Sequence, residues 1–175
     1  MCGFPFWSQD VGGFIGLTNN KLLIRWMQFS ILMSHIRIHG SGDRELYKYS
    51  DECIEICKKY LDMRYSFLPY LWAQAKKCCK ESLPLTRALV IEYQNDPNVW
   101  NIEDEYMSGE SLLVAPIYGR TGCVHQVLHR IMAAGFQQII KADDIRLNIH
   151  IRVINGIPDS GLSCKIHHDI KMVIR

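Results

Sequence analysis

The chain has 175 residues, 20 Lys plus Arg against 18 Asp plus Glu, and a formal net charge of +2. With 48% hydrophobic residues it can bury a core of ordinary size, and its near-neutral balance excludes a basic nucleic-acid stripe or an acidic solvated tail. The longest apolar run with helical spacing, Lys21 to His35, is broken by Arg25 and Gln28, so no bilayer-spanning segment is expected.

The chain opens on "GFPFWSQDVGGF", Gly3 to Phe14. Its aromatics Phe4, Phe6 and Trp7 suit a buried strand, and Gly12-Gly13 permits a sharp turn or a close backbone approach to a ligand. Thr18-Asn19-Asn20 then supplies N-cap chemistry for an amphipathic helix from about Lys21 to Ser34. "SHIRIHGSGDRELYKY" breaks that pattern, with Gly40 and Gly42 marking a loop in which Asp43-Arg44-Glu45 reads as solvated. Ser50-Asp51-Glu52 starts the longest helical segment, which runs to about Lys80 and should kink or split near Phe67 because of Pro69. Leu85 to Tyr93 reads as a strand, Asn101 to Met107 as a short helix, and Ser111 to Tyr118 as another strand. A helix is expected over Val127 to Lys141. A period-two strand follows over 145–153, then the hairpin turn Asn155-Gly156.

Strand–helix–strand order through residue 93 predicts an α/β fold with a parallel sheet. A carboxylate and aromatics just past a strand's C-terminal end are where such folds hold ligands. Asp10 is placed to accept hydrogen bonds from ligand hydroxyls, with Phe14 and Trp7 to stack on an apolar sugar or ring face. On spacing alone, a turn aspartate capping the next helix, with core aromatics, is the simpler reading. His39, entering the Gly40-Ser41-Gly42 loop, is a candidate donor to a substrate hydroxyl or a structural histidine. Gly12, Gly13 and Gly16 make no phosphate-binding fingerprint. His167-His168-Asp169 is not a metal cluster, because adjacent strand residues point to opposite faces. Seven cysteines lack the spacing of a zinc site and read as reduced thiols packed as small apolar residues. With no basic-then-apolar start after Met1, a cytoplasmic protein is expected.

Five stretches in order, "GFPFWSQDVGGF", "SHIRIHG", "RYSFLPYLWAQA", "PLTRALVIEY" and "EYMSGESLLVAPIY", resemble family 31 of the glycoside hydrolases, its α-xylosidases in particular. Those enzymes carry Phe-Trp-Ser-His-Asp-Ile-Gly-Gly-Phe and Ser-His-Ser-Arg-Leu-His-Gly in matching places; here Gln9 replaces the histidine and Val11 the isoleucine. The resemblance implies a (β/α)8 TIM barrel followed by β-sandwich domains. It also implies retaining hydrolysis of α-glycosidic bonds by an aspartate nucleophile and an aspartate acid/base about 5 Å apart. By motif position, Phe14 lines the pocket for the sugar at the cleavage site and His39 hydrogen-bonds its hydroxyls. Asp10 then belongs to the pocket wall or the layer just behind it, with Trp7 beside it. In the family both catalytic aspartates lie upstream of the Phe-Trp-Ser segment. The expectation is therefore a C-terminal barrel portion without catalytic residues, inactive alone. The ligand implied is an α-linked oligosaccharide, xyloglucan-type or an α-glucoside. No nucleic acid, membrane, metal or organic cofactor is implied.

The expected organisation is barrel over residues 1–105, the first strand region of a β domain over 106–127, and a divergent tail over 128–175. The family continues here with a strand like Val-Tyr-Leu-Pro-x-Gly-x-Trp, and reading one base out of frame from Val127 permits such a sequence. The tail therefore reads as frameshifted. The rival reading, a genuine sequence, rests on the alternation over 145–153.

Overall fold

The computed structural model describes residues 4–116 and the backbone of two strand segments, 140–141 and 149–153. The chain divides into two compact units, Met1–Thr86 and Arg87–Arg175.

In the first unit the opening aromatics do not form a buried strand. Phe4, Trp7 and Phe14 are exposed, and among the described residues of this stretch the only ladder contact is an isolated parallel bridge between Asp10 and Arg37. Val11 N–H donates to the Arg37 carbonyl at 2.9 Å, and Leu85 N–H donates to the Pro5 carbonyl at 3.0 Å. Ser34 completes the pairing where a ladder would run. Its Oγ accepts from Trp7 N–H at 3.0 Å and donates to the Trp7 carbonyl at 2.8 Å. The extended run stops after Val11 because Gly12 and Gly13 adopt φ of 91° and 87°, a left-handed conformation that side chains disfavour.

Helix α1 spans Asn20–Ser30, capped by Asn19 Oδ1, which accepts from Leu22 N–H at 2.9 Å. It ends four residues before the expected Ser34. The guanidinium of Arg64 takes over the carbonyls beyond it, donating to Met33 at 2.8 Å, to Ser34 at 3.0 Å and to Ile31. Apolar periodicity does not register such an ending, because the residues after Ser30 stay buried through Met33. The strand-like pieces at 10–11 and 37, joined by a helix and paired in parallel, are a βαβ-type crossover.

Helix α2 runs unbroken from Asp51 to Glu81. Ser50 Oγ accepts from Cys53 N–H at 3.3 Å, with Asp51 and Glu52 in the first turn complementing the helix dipole. It does not split at Pro69. Proline removes one donor, the partner of the Tyr65 carbonyl, but Tyr65, Leu68 and Pro69 all lie on the exposed face, where solvent reaches that carbonyl. The opposite face packs on α1, burying Leu23, Met27, Ile31, Cys53, Ile56, Cys57 and Tyr60. The Gln28 amide donates to the Tyr60 hydroxyl at 3.0 Å within this core.

Two expectations are corrected from Leu85 onward. Leu85 to Tyr93 is not one strand. A two-residue strand β1, Thr86–Arg87, is followed by a short helix α3, Leu89–Glu92, with Arg87 and Glu92 ion-paired across it. Leu89 joins a core with Val99, Met107, Leu113 and Ala115, and that packing overrides the strand preference of Leu89-Val90-Ile91. Asn101 to Met107 is not a helix. Tyr106–Ser108 is strand β2, paired antiparallel with β3, Leu112–Pro116, through a turn in which Gly109 has φ 63°. β3 also pairs antiparallel with β5, Ile149–Val153, which pairs with β4, Ile140–Lys141, giving the order β1-β2-β3-β5-β4. All five β3 residues are buried, so it reads as a continuous apolar run rather than an alternation. The expected helix over Val127 to Lys141 ends instead in β4, and its residues 127–139 lie outside the described residues. So do 145–148 of the expected period-two strand and the Asn155-Gly156 turn.

Cys53, Cys57 and Cys78 are buried and outside any disulfide, while Cys79 is exposed. Burial, reinforced by the neighbouring Cys53 sulfur, pushes the Cys57 thiol up to about 12. We predict that iodoacetamide at neutral pH labels Cys79 rapidly and leaves Cys53 and Cys57 unlabelled until the unit is unfolded. The Cys57 thiol ionises more readily in the unfolded chain. The stability its neutral form contributes is therefore complete below about pH 8.5 and falls as pH rises toward 12. A urea series across that range should show a shallower alkaline decline for Cys57→Ala, and an unchanged slope would refute the assignment.

Candidate functional site

Two backbone segments converge where the parallel pairing ends. The turn from Gly12 to Gly16 follows the Asp10–Arg37 bridge on one segment, and the loop from Gly40 to Arg44 follows it on the other. Ends of parallel strands are where a βα-type fold leaves backbone groups unpaired and ligands reachable.

Arg44 holds these two segments together. It is 4% exposed, although its neighbours Asp43 and Glu45 are exposed, so the expected solvated loop is corrected at this residue. Nε and Nη2 donate to the Gly13 carbonyl at 3.1 and 3.0 Å, Nη2 donates to the Gly16 carbonyl at 2.7 Å, and Nη1 donates to the Asp43 carbonyl at 3.0 Å. Between Gly13 and Gly16, the Phe14 carbonyl accepts from both the N–H and the Oγ of Ser41, at 2.7 and 3.0 Å. A Cβ on Gly40 would lie 2.9 Å from Arg44 Nε and from the carbonyl oxygens of Gly13 and Phe14. The approach of the two loops therefore excludes any side chain there.

The closure places the Phe14 and His39 rings together, centroids 5.6 Å apart and tilted by 47°. Phe14 remains 50% exposed and His39 is exposed, so both rings offer surface to a ligand. Asp10, just before the turn, accepts from Arg37 Nε in an ion pair, with the aspartate the more sheltered partner. Trp7 is 45% exposed and latched through its backbone to Ser34. Behind it, Gln9 joins the segment to α1. Its Oε1 accepts from Trp26 Nε1 at 2.8 Å, and its Nε2 donates to Ser30 Oγ at 2.7 Å and contacts Met33 Sδ at 2.8 Å. The four expected residues thus fall into a Phe14–His39 ring pair, an Asp10–Arg37 ion pair and Trp7 on Ser34. Arg37 and Arg44 went unnoticed as site-builders. The usable signal for Arg44 was a cation in a loop with glycines at Gly40 and Gly42, facing a turn with Gly12, Gly13 and Gly16.

Among the described residues no group of three or more His, Cys, Asp or Glu is placed to hold a metal ion. None of their helices is long and apolar enough to cross a membrane.

A parallel bridge crossed over by a helix, with an aromatic–imidazole pair on the closed loops beyond it, fits the class: part of a βα barrel wall. Residues 1–74 match the TIM-barrel domain of glycosyl hydrolases family 31, and residues 82–135 match the C-terminal domain of the same family. The chain belongs to glycoside hydrolase family 31, as the C-terminal portion of its barrel and the start of the domain that follows. Residues 136–175 lie beyond both matches. The chain is 36% identical over 125 residues to an α-xylosidase of Emericella nidulans, covering 71% of this chain and 16% of that protein. It is 38% identical over 130 residues to an α-xylosidase of Lactiplantibacillus pentosus, covering 71% and 17%. An α-glucosidase of Bacillus thermoamyloliquefaciens is 36% identical over 120 residues, covering 67% and 15%. Among solved structures, a Flavobacterium johnsoniae family 31 dextranase complexed with isomaltotriose superposes with a TM-score of 0.63 at 29% identity, covering 69% of this chain and 16% of that one. A family 31 α-xylosidase from a soil metagenome, complexed with xylose, superposes with a TM-score of 0.63 at 27% identity, covering 69% and 22%. The chain therefore spans about one sixth of the length of these curated relatives.

Gly40→Ala should destabilise the first unit by about 1–3 kcal/mol, because the atoms its methyl meets include two backbone carbonyls that cannot swing aside. The midpoint of urea unfolding checks this, and an unchanged midpoint would show that the loops are not closed as described.

Proposed function

We propose that this chain supplies the sugar-binding rim of a retaining α-glycoside hydrolase site of α-xylosidase type, acting on α-linked oligosaccharides of the xyloglucan kind. The observation that carries the reading is the exposed Phe14–His39 pair on closed loops at the end of the parallel pairing. Phe14 offers an apolar face to the underside of a pyranose ring, and His39 offers a ring nitrogen to its hydroxyls. Asp10 stands in the wall with its charge balanced by Arg37, and Trp7 flanks that wall.

Retaining hydrolysis needs two carboxyl groups about 5 Å apart, one as nucleophile and one as acid/base. Asp10 is the sole carboxylate from Gly3 to Gly42, and its pairing with Arg37 suits a wall group better than a nucleophile free to attack. The residues of this rim therefore bind and orient sugar, and the catalytic pair is not among them. Relatives named α-xylosidase favour a xyloside, and the α-glucosidase of equal identity supports an α-glucoside as the second reading.

The purified chain should show no turnover of 4-nitrophenyl α-xyloside or α-glucoside. Titration with α-xylosyl-(1→6)-glucose should shift the NMR signals of Phe14 and His39, more strongly than isomaltose does. His39→Ala should weaken that binding about tenfold. Turnover abolished by His39→Ala would overturn the non-catalytic assignment, absence of any sugar-dependent shift would overturn the rim, and preference for isomaltose would move the substrate to α-glucosides.

A further inference from the structure

We propose that Arg44 is the positioning residue of the sugar-binding rim, setting the Phe14–His39 geometry through the backbone without touching the ligand. The inference rests on the rim reading above only for its effect on sugar affinity. Phe14 is half exposed and His39 is exposed, so packing constrains the two rings weakly and their separation is set chiefly by the chain that carries them. Phe14 lies in a turn whose residues 12, 13 and 16 are all glycines in the left-handed region, the segment type with the largest backbone freedom. Three carbonyls of that turn face the 40–44 loop. Arg44 binds those of Gly13 and Gly16, and Ser41 binds that of Phe14. The third arm of the same guanidinium returns to the Asp43 carbonyl in its own loop, so one rigid plane fixes both loops at once.

The chemistry requires arginine. Three carbonyls approached from three directions match a planar fork of five N–H donors, whereas an ammonium is a compact point charge on a flexible stem. The slot is also shaped for the guanidinium, because any side chain on Gly40 would collide with Nε and with the two carbonyls beside it. Arg44 is thus distinct from Arg37, which pairs with a carboxylate on the bridge itself.

The test uses the full 175-residue chain. At 5.6 Å, the Phe14 ring current displaces the His39 imidazole proton resonances, a signature readable without sugar. In Arg44→Lys and Arg44→Ala this displacement should vanish and α-xylosyl-(1→6)-glucose binding should weaken about tenfold or more. The core signals of Gln28 and Tyr60 and the protection of Cys57 should stay as in the parent. Guanidinium chloride at about 20 mM, far below unfolding concentrations, should restore the displacement in Arg44→Ala by refilling the slot. Retention of the displacement in Arg44→Lys would overturn the proposal. So would its loss only together with the core signals, and so would failure of guanidinium to restore it. Because the ring signature is read without ligand, failure of the parent chain to bind the disaccharide would count against the rim function and not against the positioning role.

Discussion

Backbone carbonyls left without ladder partners dominate the first unit, and arginine side chains answer them. A parallel pairing that begins and ends at Asp10–Arg37 leaves the chain on either side with unsatisfied groups, each costing about 1–3 kcal/mol if buried bare. Arg44 meets the carbonyls of Gly13, Gly16 and Asp43, and Arg64 meets those of Ile31, Met33 and Ser34. Ser41 and Ser34 do the same at shorter reach for Phe14 and Trp7. A planar guanidinium suits this role because it serves several acceptors lying in different directions, which no backbone N–H can do.

That solution gives the candidate site its character. Arg64, from α2, ends α1 and sets the course of the segment that leads to His39, and Arg44 then clamps the loop beyond it. Between these two clamps lie Arg37 and His39, facing Asp10 and Phe14. The exposed Phe14 and His39 rings are consequently placed by the loops that carry them. Rigidity sits one layer back, in buried arginine and in glycines that allow backbone to approach backbone. The packed α1–α2 core anchors the arrangement from behind, with Gln9 tying the opening segment to Trp26 and Ser30.

Legibility in the sequence followed the range of the forces involved. Helix α2 was readable from Ser50, Asp51 and Glu52 and from its apolar spacing, because capping and periodicity are local. Its passage through Pro69 was not, since the missing donor lies on an exposed face that only the fold reveals. Leu89-Val90-Ile91 has strand-forming residues yet makes a helical turn, and Tyr106-Met107 reads as helix yet pairs with β3. In both places contacts outside the segment itself decided: the Val99–Met107–Leu113 cluster for one, and the hairpin partner β3 for the other. The opening aromatics failed as core residues for a similar reason, because a parallel strand is buried only when covered on both faces.

The sequence by itself determined the family, through ordered motifs from "GFPFWSQDVGGF" to "EYMSGESLLVAPIY". It also determined that two helices exist and where each starts, since caps and apolar faces are written in neighbouring residues, but not the end of the first or the continuity of the second through Pro69. Only the tertiary structure decided that Asp10 is paired with Arg37, that Phe14 stands against His39, and that Arg44 is buried between glycines rather than solvated. Each of these depends on two segments about 25 to 31 residues apart meeting in space, and the pattern of a single segment carries no record of what it will face.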